Sequence, residues 1–249
     1  MLLKQALLTT FWYTLKKQVL DTLFPIFCLG CQKKGAWICQ ACKQSITVRL
    51  EQHCPFCNHA ITPAGQICFQ CRDSLTPALD GLFVASYYHD TLLPHAIHTW
   101  KYRFITGIAK PLGQFLVTTL QRSAVSLPDI ILPVPLHQRR LRFRGFNQSE
   151  LLAEELANTL TPGLPIPILT NVLIRTRYTR PQMKTDSREE RIINLTNAFT
   201  ITDNQEETIK GKYIWLIDDV ATTGTTLEEC ARILKQHGAH SVWGIVLAR

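Results

Sequence analysis

Residues 214–226 read IWLIDDVATTGTT, and this string constrains the fold more than any other part of the chain. An apolar run delivers two carboxylates, Asp218 and Asp219, and passes at once into small hydroxyl residues and Gly224 before a helical pattern begins. A run that is apolar on both faces is a strand covered on both sides, which belongs in a parallel sheet. The same alternation fills the rest of the chain beyond residue 81. Strands are predicted at 81–88 (GLFVASYY), 129–134 (DIILPV), 168–174, 212–217 and 241–247, and helices at 149–160 and 225–237. Strand and helix in alternation give an α/β fold, a mostly parallel sheet with helices on both faces. Ligands in such sheets sit beyond the carboxyl ends of the strands.

The string also carries chemistry. Thr222, Thr223, Thr225 and Thr226 offer hydroxyls and backbone N–H groups, Gly224 lets the backbone approach an anion, and a helix N-terminus adds partial positive charge. A phosphomonoester fits that nest. Two carboxylates beside it make sense if they hold sugar hydroxyls, with Mg2+ offsetting the charge. A phosphorylated ribose satisfies both halves. The ordinary alternative is a strand end followed by a capped helix.

Eight of the nine cysteines form four Cys-x-x-Cys pairs, Cys28/Cys31, Cys39/Cys42, Cys54/Cys57 and Cys68/Cys71; only Cys230 stands apart. Seven residues separate the first two pairs and ten the second two, so each neighbouring set can close a small four-thiolate ribbon. Zn2+ is favoured over free thiols or disulfides, with one or two ions left open, and a structural role is favoured over contact with nucleic acid or a partner. The composition breaks near residue 77. Residues 1–24 place Leu3, Leu7, Leu8, Phe11, Leu15, Val19, Leu20 and Leu23 at helical spacing, as an amphipathic helix packed on the ribbon. A helix lying on a membrane surface is the weaker alternative. The division expected is therefore a helix over 1–24, a double zinc ribbon over 25–76 and an α/β domain over 77–249.

With 46% hydrophobic and 18% charged residues, the chain has enough apolar material for a core and too little charge for disorder. The longest uncharged stretch near the start, residues 5–15, is shorter than the ~20 residues a spanning helix needs. It closes on Lys16 and Lys17 with no small-residue cleavage pattern, so a cytoplasmic chain without a transmembrane segment is expected. The formal charge of +8 falls to about +4 if eight thiolates hold two zinc ions. Basic character is then local: Arg139, Arg140, Arg142 and Arg144 in one loop, Arg175, Arg177, Arg180 and Lys184 in another. These are the anion-binding candidates. His89, His95 and His98 read as helix or surface histidines.

The Asp pair, Thr222-Thr223-Gly224 and the closing Thr226 resemble the phosphoribosyl diphosphate (PRPP) motif of type I phosphoribosyltransferases, with Trp215 standing where a small aliphatic residue is usual. The resemblance extends over nearly the whole chain to the competence protein F (ComF) family. It is carried by the Cys-x-x-Cys pairs, Trp100-Lys101-Tyr102, Pro133-Val134-Pro135-Leu136 and Arg144-Gly145-Phe146-Asn147-Gln148. Arg175, Arg177, Thr179 and Gln182, Arg191 with Asn194, and Ala198-Phe199 complete it, while Met183-Lys184 departs from the usual Leu. The resemblance implies a zinc-ribbon module fused to a phosphoribosyltransferase-like, Rossmann-like domain, acting on imported single-stranded DNA in competent bacteria. It implies that the loop after strand 129–134 contacts diphosphate and that residues 176–195 close over the site. It also implies a PRPP site of Lys101, Arg144, Arg175, Arg177, Arg191, Asp218, Asp219, Ala221, Thr222, Thr223, Gly224, Thr225 and Thr226. Asp218, Asp219 and Arg144 would be the catalytic residues.

Three functions are compatible with these residues. An Mg2+-dependent phosphoribosyltransferase would stabilise diphosphate as it leaves the ribose, using arginine and the metal, toward an acceptor that the sequence does not name. A binding module would hold PRPP, or the phosphate and ribose of single-stranded DNA, without turnover. A regulator or adaptor would dock on a competence DNA-translocation protein.

Overall fold

The computed structural model describes residues 25–89, 91–178 and 197–249. The proposed helix over 1–24 lies outside them, as do Thr179, Arg180, Gln182, Lys184, Arg191 and Asn194. In chain order the helices are α1 (Gln40–Gln44), α2 (Phe69–Leu75), α3 (Leu92–Arg103), α4 (Ala109–Leu120), α5 (Gln138–Arg144), α6 (Gln148–Thr159), α7 (Glu206–Ile209) and α8 (Thr225–Gln236). The strands are β1 (Gly81–Ser86), β2 (Ile130–Pro133), β3 (Leu173–Arg175), β4 (Phe199–Ile201), β5 (Tyr213–Val220) and β6 (Ser241–Ala248). No helix among the described residues is long and apolar enough to cross a membrane.

Four strands form one sheet in the order β1-β6-β5-β2, every neighbouring pair parallel. The register aligns Pro133 with Ile217, Ile217 with Ile245, and Ser86 with Ala248, so the strands' carboxyl ends gather at one edge. Both faces are covered, which is why β1, β2 and β6 read as unbroken apolar runs. On one face Leu82, Val84, Leu216 and Val246 share a core with Leu227, Cys230, Ala231 and Leu234 of α8. On the other, α4 and α6 pack against each other and against the sheet. Trp215, the departure from the usual motif, is buried in β5 opposite Trp243 of β6.

Gly244 of β6 explains how α8 comes so close. A Cβ there would lie 2.8 Å from Leu82 Cδ1 and 2.9 Å from Leu227 Cδ1, so a larger residue would have to displace the side chains that pack α8 on the sheet.

Two expectations require correction. The strand expected over 168–174 is not one strand of the parallel sheet. Ile168 makes a single parallel bridge to Ile131, the chain then turns at Thr170-Asn171, and Leu173–Arg175 pairs antiparallel with Phe199–Ile201. Thr-Asn is turn-forming, and Thr202 donates its hydroxyl to the Asn171 carbonyl to hold the bend. The first basic stretch is not a loop but helix α5. His137 caps its start by accepting the Arg139 N–H at 3.1 Å, and Gly145 ends it in the left-handed region at φ 76°.

The chain divides into two compact units, Met1–Ser45 and Ile46–Arg249. The division falls between the two cysteine sets, whereas the composition breaks near residue 77. In the second unit, Cys54, Ile67 and Cys71 form a small core of their own. The segment before it covers the free edge of β1. Arg49 N–H donates to the Ala85 carbonyl, and the buried Gln52 amide both accepts from Val84 N–H at 3.0 Å and donates to Val84 O at 2.9 Å, as a strand would.

Candidate phosphoribosyl site and metal centres

The cysteine sets are two copies of one design. In each, the residue four past the first cysteine, Gln32 or Asn58, has positive φ and returns its N–H to that cysteine's carbonyl at 2.9 Å. In each, the third cysteine, Cys39 or Cys68, is the N-cap of a short helix, α1 or α2, that carries the fourth. The four Sγ atoms of each set lie within 4.8 Å of one another. Zn–S bonds of 2.3 Å in a tetrahedron put sulfurs about 3.8 Å apart, and Cys31–Cys39 at 3.6 Å and Cys57–Cys68 at 3.9 Å match that edge.

The charge state agrees. Against the effect of burial, backbone N–H groups of Cys31, Cys39 and Gly30 draw the Cys28 thiol down to about 6. Those of Ala60 and His59 do the same for Cys57. Neighbouring thiols push Cys42 up to about 12, and burial with neighbouring thiols does so for Cys71. Four thiolates this close need a divalent cation between them. The two clusters fit a double zinc ribbon.

At the carboxyl edge of the sheet, β5 delivers Asp218 and Asp219. Successive strand residues point to opposite faces, and the two carboxylates accordingly take different partners. Asp218 accepts the Ser149 hydroxyl at 3.0 Å and its neighbour's N–H at 2.9 Å. Asp219 is ion-paired to Lys101 Nζ at 2.5 Å, with side chains only 7% and 22% exposed respectively. Burial and the adjacent Asp219 push the Asp218 carboxyl up to about 7, against the pull of Lys101, the Asp219 N–H and Ser149. Burial disfavours the Lys101 ammonium, but the two carboxylates hold its pKa above the ordinary value.

The loop after β5 is anchored by the Ala221 N–H on the Ala248 carbonyl. Thr223 and Thr225 share a hydroxyl hydrogen bond of 2.7 Å. Gly224, at φ 79°, is the N-cap of α8, in a backbone region that favours glycine, and has no side chain to cap the first turn, where the Thr225 N–H makes only a long 3.5 Å bond to Thr223 Oγ1. Thr222, Thr223, Gly224, Thr225 and Thr226 surround this open helix start and are all at least partly exposed. Below it, Cys230 is buried, and its thiol is raised well above the ordinary value.

Arg144 approaches from the end of α5. Its guanidinium donates to Gln148 Oε1 at 3.0 Å, lies over the Tyr102 ring, and sits within electrostatic reach of Lys101. Asn147 caps α6, accepting the Ser149 N–H and donating to the Val134 carbonyl at 3.1 Å each, which ties the loop after β2 to the helix start. Arg175 on β3 lies over Phe199 within electrostatic reach of Asp218, whereas Arg177 is exposed. A cavity of about 310 Å3 lined by Pro135, Leu136, Asn147, Glu150 and Arg175 opens beside the loop after β2.

The structure thus brings Lys101, Arg144, Asp218 and Asp219 together at one edge. Ser149, the first residue of the helix expected over 149–160, is the hydroxyl donor to Asp218; its place in the first turn of α6, two residues after the capping Asn147, was the available signal.

Residues 147–249 match the phosphoribosyl transferase domain family. A DNA utilization protein of Escherichia coli O157:H7, YhgH, is 33% identical over 213 residues, 84% of this chain and 88% of that protein. Competence protein F of Haemophilus influenzae is 29% identical over 237 residues, covering 90% and 98%. Competence protein ComFC of Bacillus subtilis is 26% identical over 217 residues, covering 85% and 84%. Paired four-cysteine clusters, a parallel sheet ending in the Asp-Asp and Thr-Gly loop, and similarity along nearly the full length agree: the chain belongs to the competence protein F family.

Proposed function

We propose that this chain binds PRPP at the carboxyl end of β5 and acts in the cytoplasm in the uptake or use of single-stranded DNA. The observation that carries the site is the juxtaposition of an uncapped helix start at Gly224 with a carboxylate pair whose partners are Lys101 and Ser149. The 5-phosphate takes the Thr222–Thr226 nest, and the carboxylates take the ribose hydroxyls. The diphosphate lies toward Arg144, with Arg175, Arg177 and Arg191 as further cationic partners. Mg2+, when bound with PRPP, offsets charge on the diphosphate. Each four-thiolate cluster holds one structural Zn2+. The DNA role is supported by the names of the relatives, competence and DNA utilization proteins.

In a transferase cycle the bond between ribose C1 and the diphosphate oxygen breaks, the electron pair leaves with diphosphate, and an acceptor nucleophile bonds to C1. Arg144 stabilises the departing charge. One observation favours a second reading, a phosphoribose-binding module without turnover: Lys101 already neutralises Asp219, so the site can hold sugar hydroxyls as a stable complex. Calorimetric titration with PRPP, with and without Mg2+, tests the site; absence of binding in both overturns it. A diphosphate-release assay with candidate acceptors separates the two readings.

A further inference from the structure

Four aromatic side chains stand exposed around α5. Phe143 is 68% exposed, Tyr102 and Phe104 45% each, and Tyr178 37%. Single exposed rings are ordinary, but two of these are in contact with each other and the other two each lie under an arginine. Phe143 meets Phe104 edge-on at 5.5 Å between centroids, and the Arg144 guanidinium lies 5.7 Å over Tyr102. At the other end of the helix Arg139 lies 5.3 Å over Tyr178, which also faces His137 at 5.2 Å.

Helix α5 has seven residues, QRRLRFR, with no acidic side chain, and spans roughly 9 Å. The two aromatic groups therefore straddle one short cationic helix, on which Arg139 and Arg142 are exposed. Arg140, between them, is within electrostatic reach of Arg144, Tyr178 and Tyr102, so the residues form one surface. Burial and the surrounding arginines lower the pKa of His137, which leaves the positive charge at neutral pH to arginine.

We propose that this rim binds an unpaired nucleic-acid strand by stacking its bases on Phe143 and Tyr178 while Arg139 and Arg142 hold its phosphates. A polyanion accounts for the arginines, but only exposed base faces account for the flat rings, because a duplex keeps its base faces covered. The density of charge disfavours an apolar protein segment. Tyr102 directly follows Lys101, and Arg144 ends α5, so the strand runs across the mouth of the carboxylate site. The inference rests on the reading that the protein handles single-stranded DNA, and adds where and through which contacts.

Fluorescence anisotropy of a labelled 20-nucleotide oligo-dT on the full chain tests it. Phe143→Ala and Tyr178→Ala are each expected to weaken binding about fivefold to a hundredfold, with Phe143→Trp restoring it. An abasic strand of the same length should bind all four proteins equally. Melting temperature should match wild type in every variant, and PRPP affinity should match it in the Phe143 variants. If wild type binds oligo-dT and the alanine variants bind it equally well, or if duplex competes as effectively as the single strand, the stacking surface is overturned while the DNA reading stands. If wild type does not bind oligo-dT, the DNA reading itself fails and the surface with it.

Discussion

Lys101 in the last turn of α3 forms an ion pair with Asp219 at the end of β5, with most of both side chains out of water. The pair fixes the end of the third helix to the edge of the sheet where the ligand is expected. Removing one member leaves the other buried without its counter-charge, a loss of about 3–5 kcal/mol for fully buried pairs. Lys101 keeps 22% of its side chain in solvent, which places Lys101→Met at the lower end. Urea unfolding of the single variants and of Lys101→Met with Asp219→Asn measures it. The double variant should recover much of the loss, and simple additivity would contradict a direct pair.

Asp218 makes stability depend on pH in an unusual direction. Its carboxyl is held at about 7 in the folded protein against an ordinary 3.8. Between those values the folded state retains a proton that the unfolded chain has released, so this group's contribution to stability falls as pH rises through the window. Asp218→Asn carries no such proton. The stability of wild type relative to this variant should therefore decline from about pH 4 to about pH 7 in urea unfolding and level off above that. A difference that stays constant would mean that the carboxyl titrates normally.

Metal analysis of the full chain should give two zinc ions. Cys28→Ser should remove one and leave the unfolding of Ile46–Arg249 unchanged, because that set lies in the other unit. Cys54→Ser should remove one and also lower the melting temperature of the sheet. Gln52 hydrogen-bonds along β1, and Arg249 donates to the Pro55 carbonyl at 2.8 Å, so the second ribbon is tied to both ends of the α/β unit. Equal effects of the two substitutions would contradict this coupling.

What the sequence made legible follows the strength of its local signals. The cysteine spacing and the Asp-Asp to Thr-Gly string carry their own geometry, and β5, the loop after it and α8 stand where the pattern put them. The lysine that pairs with Asp219 is 118 positions away, and no periodicity could pair the two; only the family resemblance pointed to Lys101. Helix α5 was hidden because clustered arginines resemble a solvated loop, although arginine is a good helix former and His137 and Gly145 supply both ends. The antiparallel pair β3–β4 was hidden because its strands are three residues each, too short for alternation to show. Gln52 was invisible for another reason: a side chain that imitates a strand leaves no pattern in the sequence.

Arg144 is where the two proposed ligands meet. It ends α5, donates to Gln148, covers Tyr102 and lies near Lys101, so it can bridge the diphosphate of PRPP and a strand passing over the site. One charge-assisted contact is worth about 1.5–3 kcal/mol. Arg144→Ala should therefore weaken PRPP binding roughly tenfold to a hundredfold, read by calorimetry. The same variant should lower oligo-dT affinity and reduce the slope of log affinity against log salt by about 1, because one fewer phosphate is neutralised. Substitution of Arg142, on the exposed side of the same helix, should reproduce the salt effect and leave PRPP affinity intact. If Arg144→Ala changes neither PRPP affinity nor the salt slope, its guanidinium serves only to hold Gln148 and Tyr102, and the diphosphate must be sought nearer Arg175.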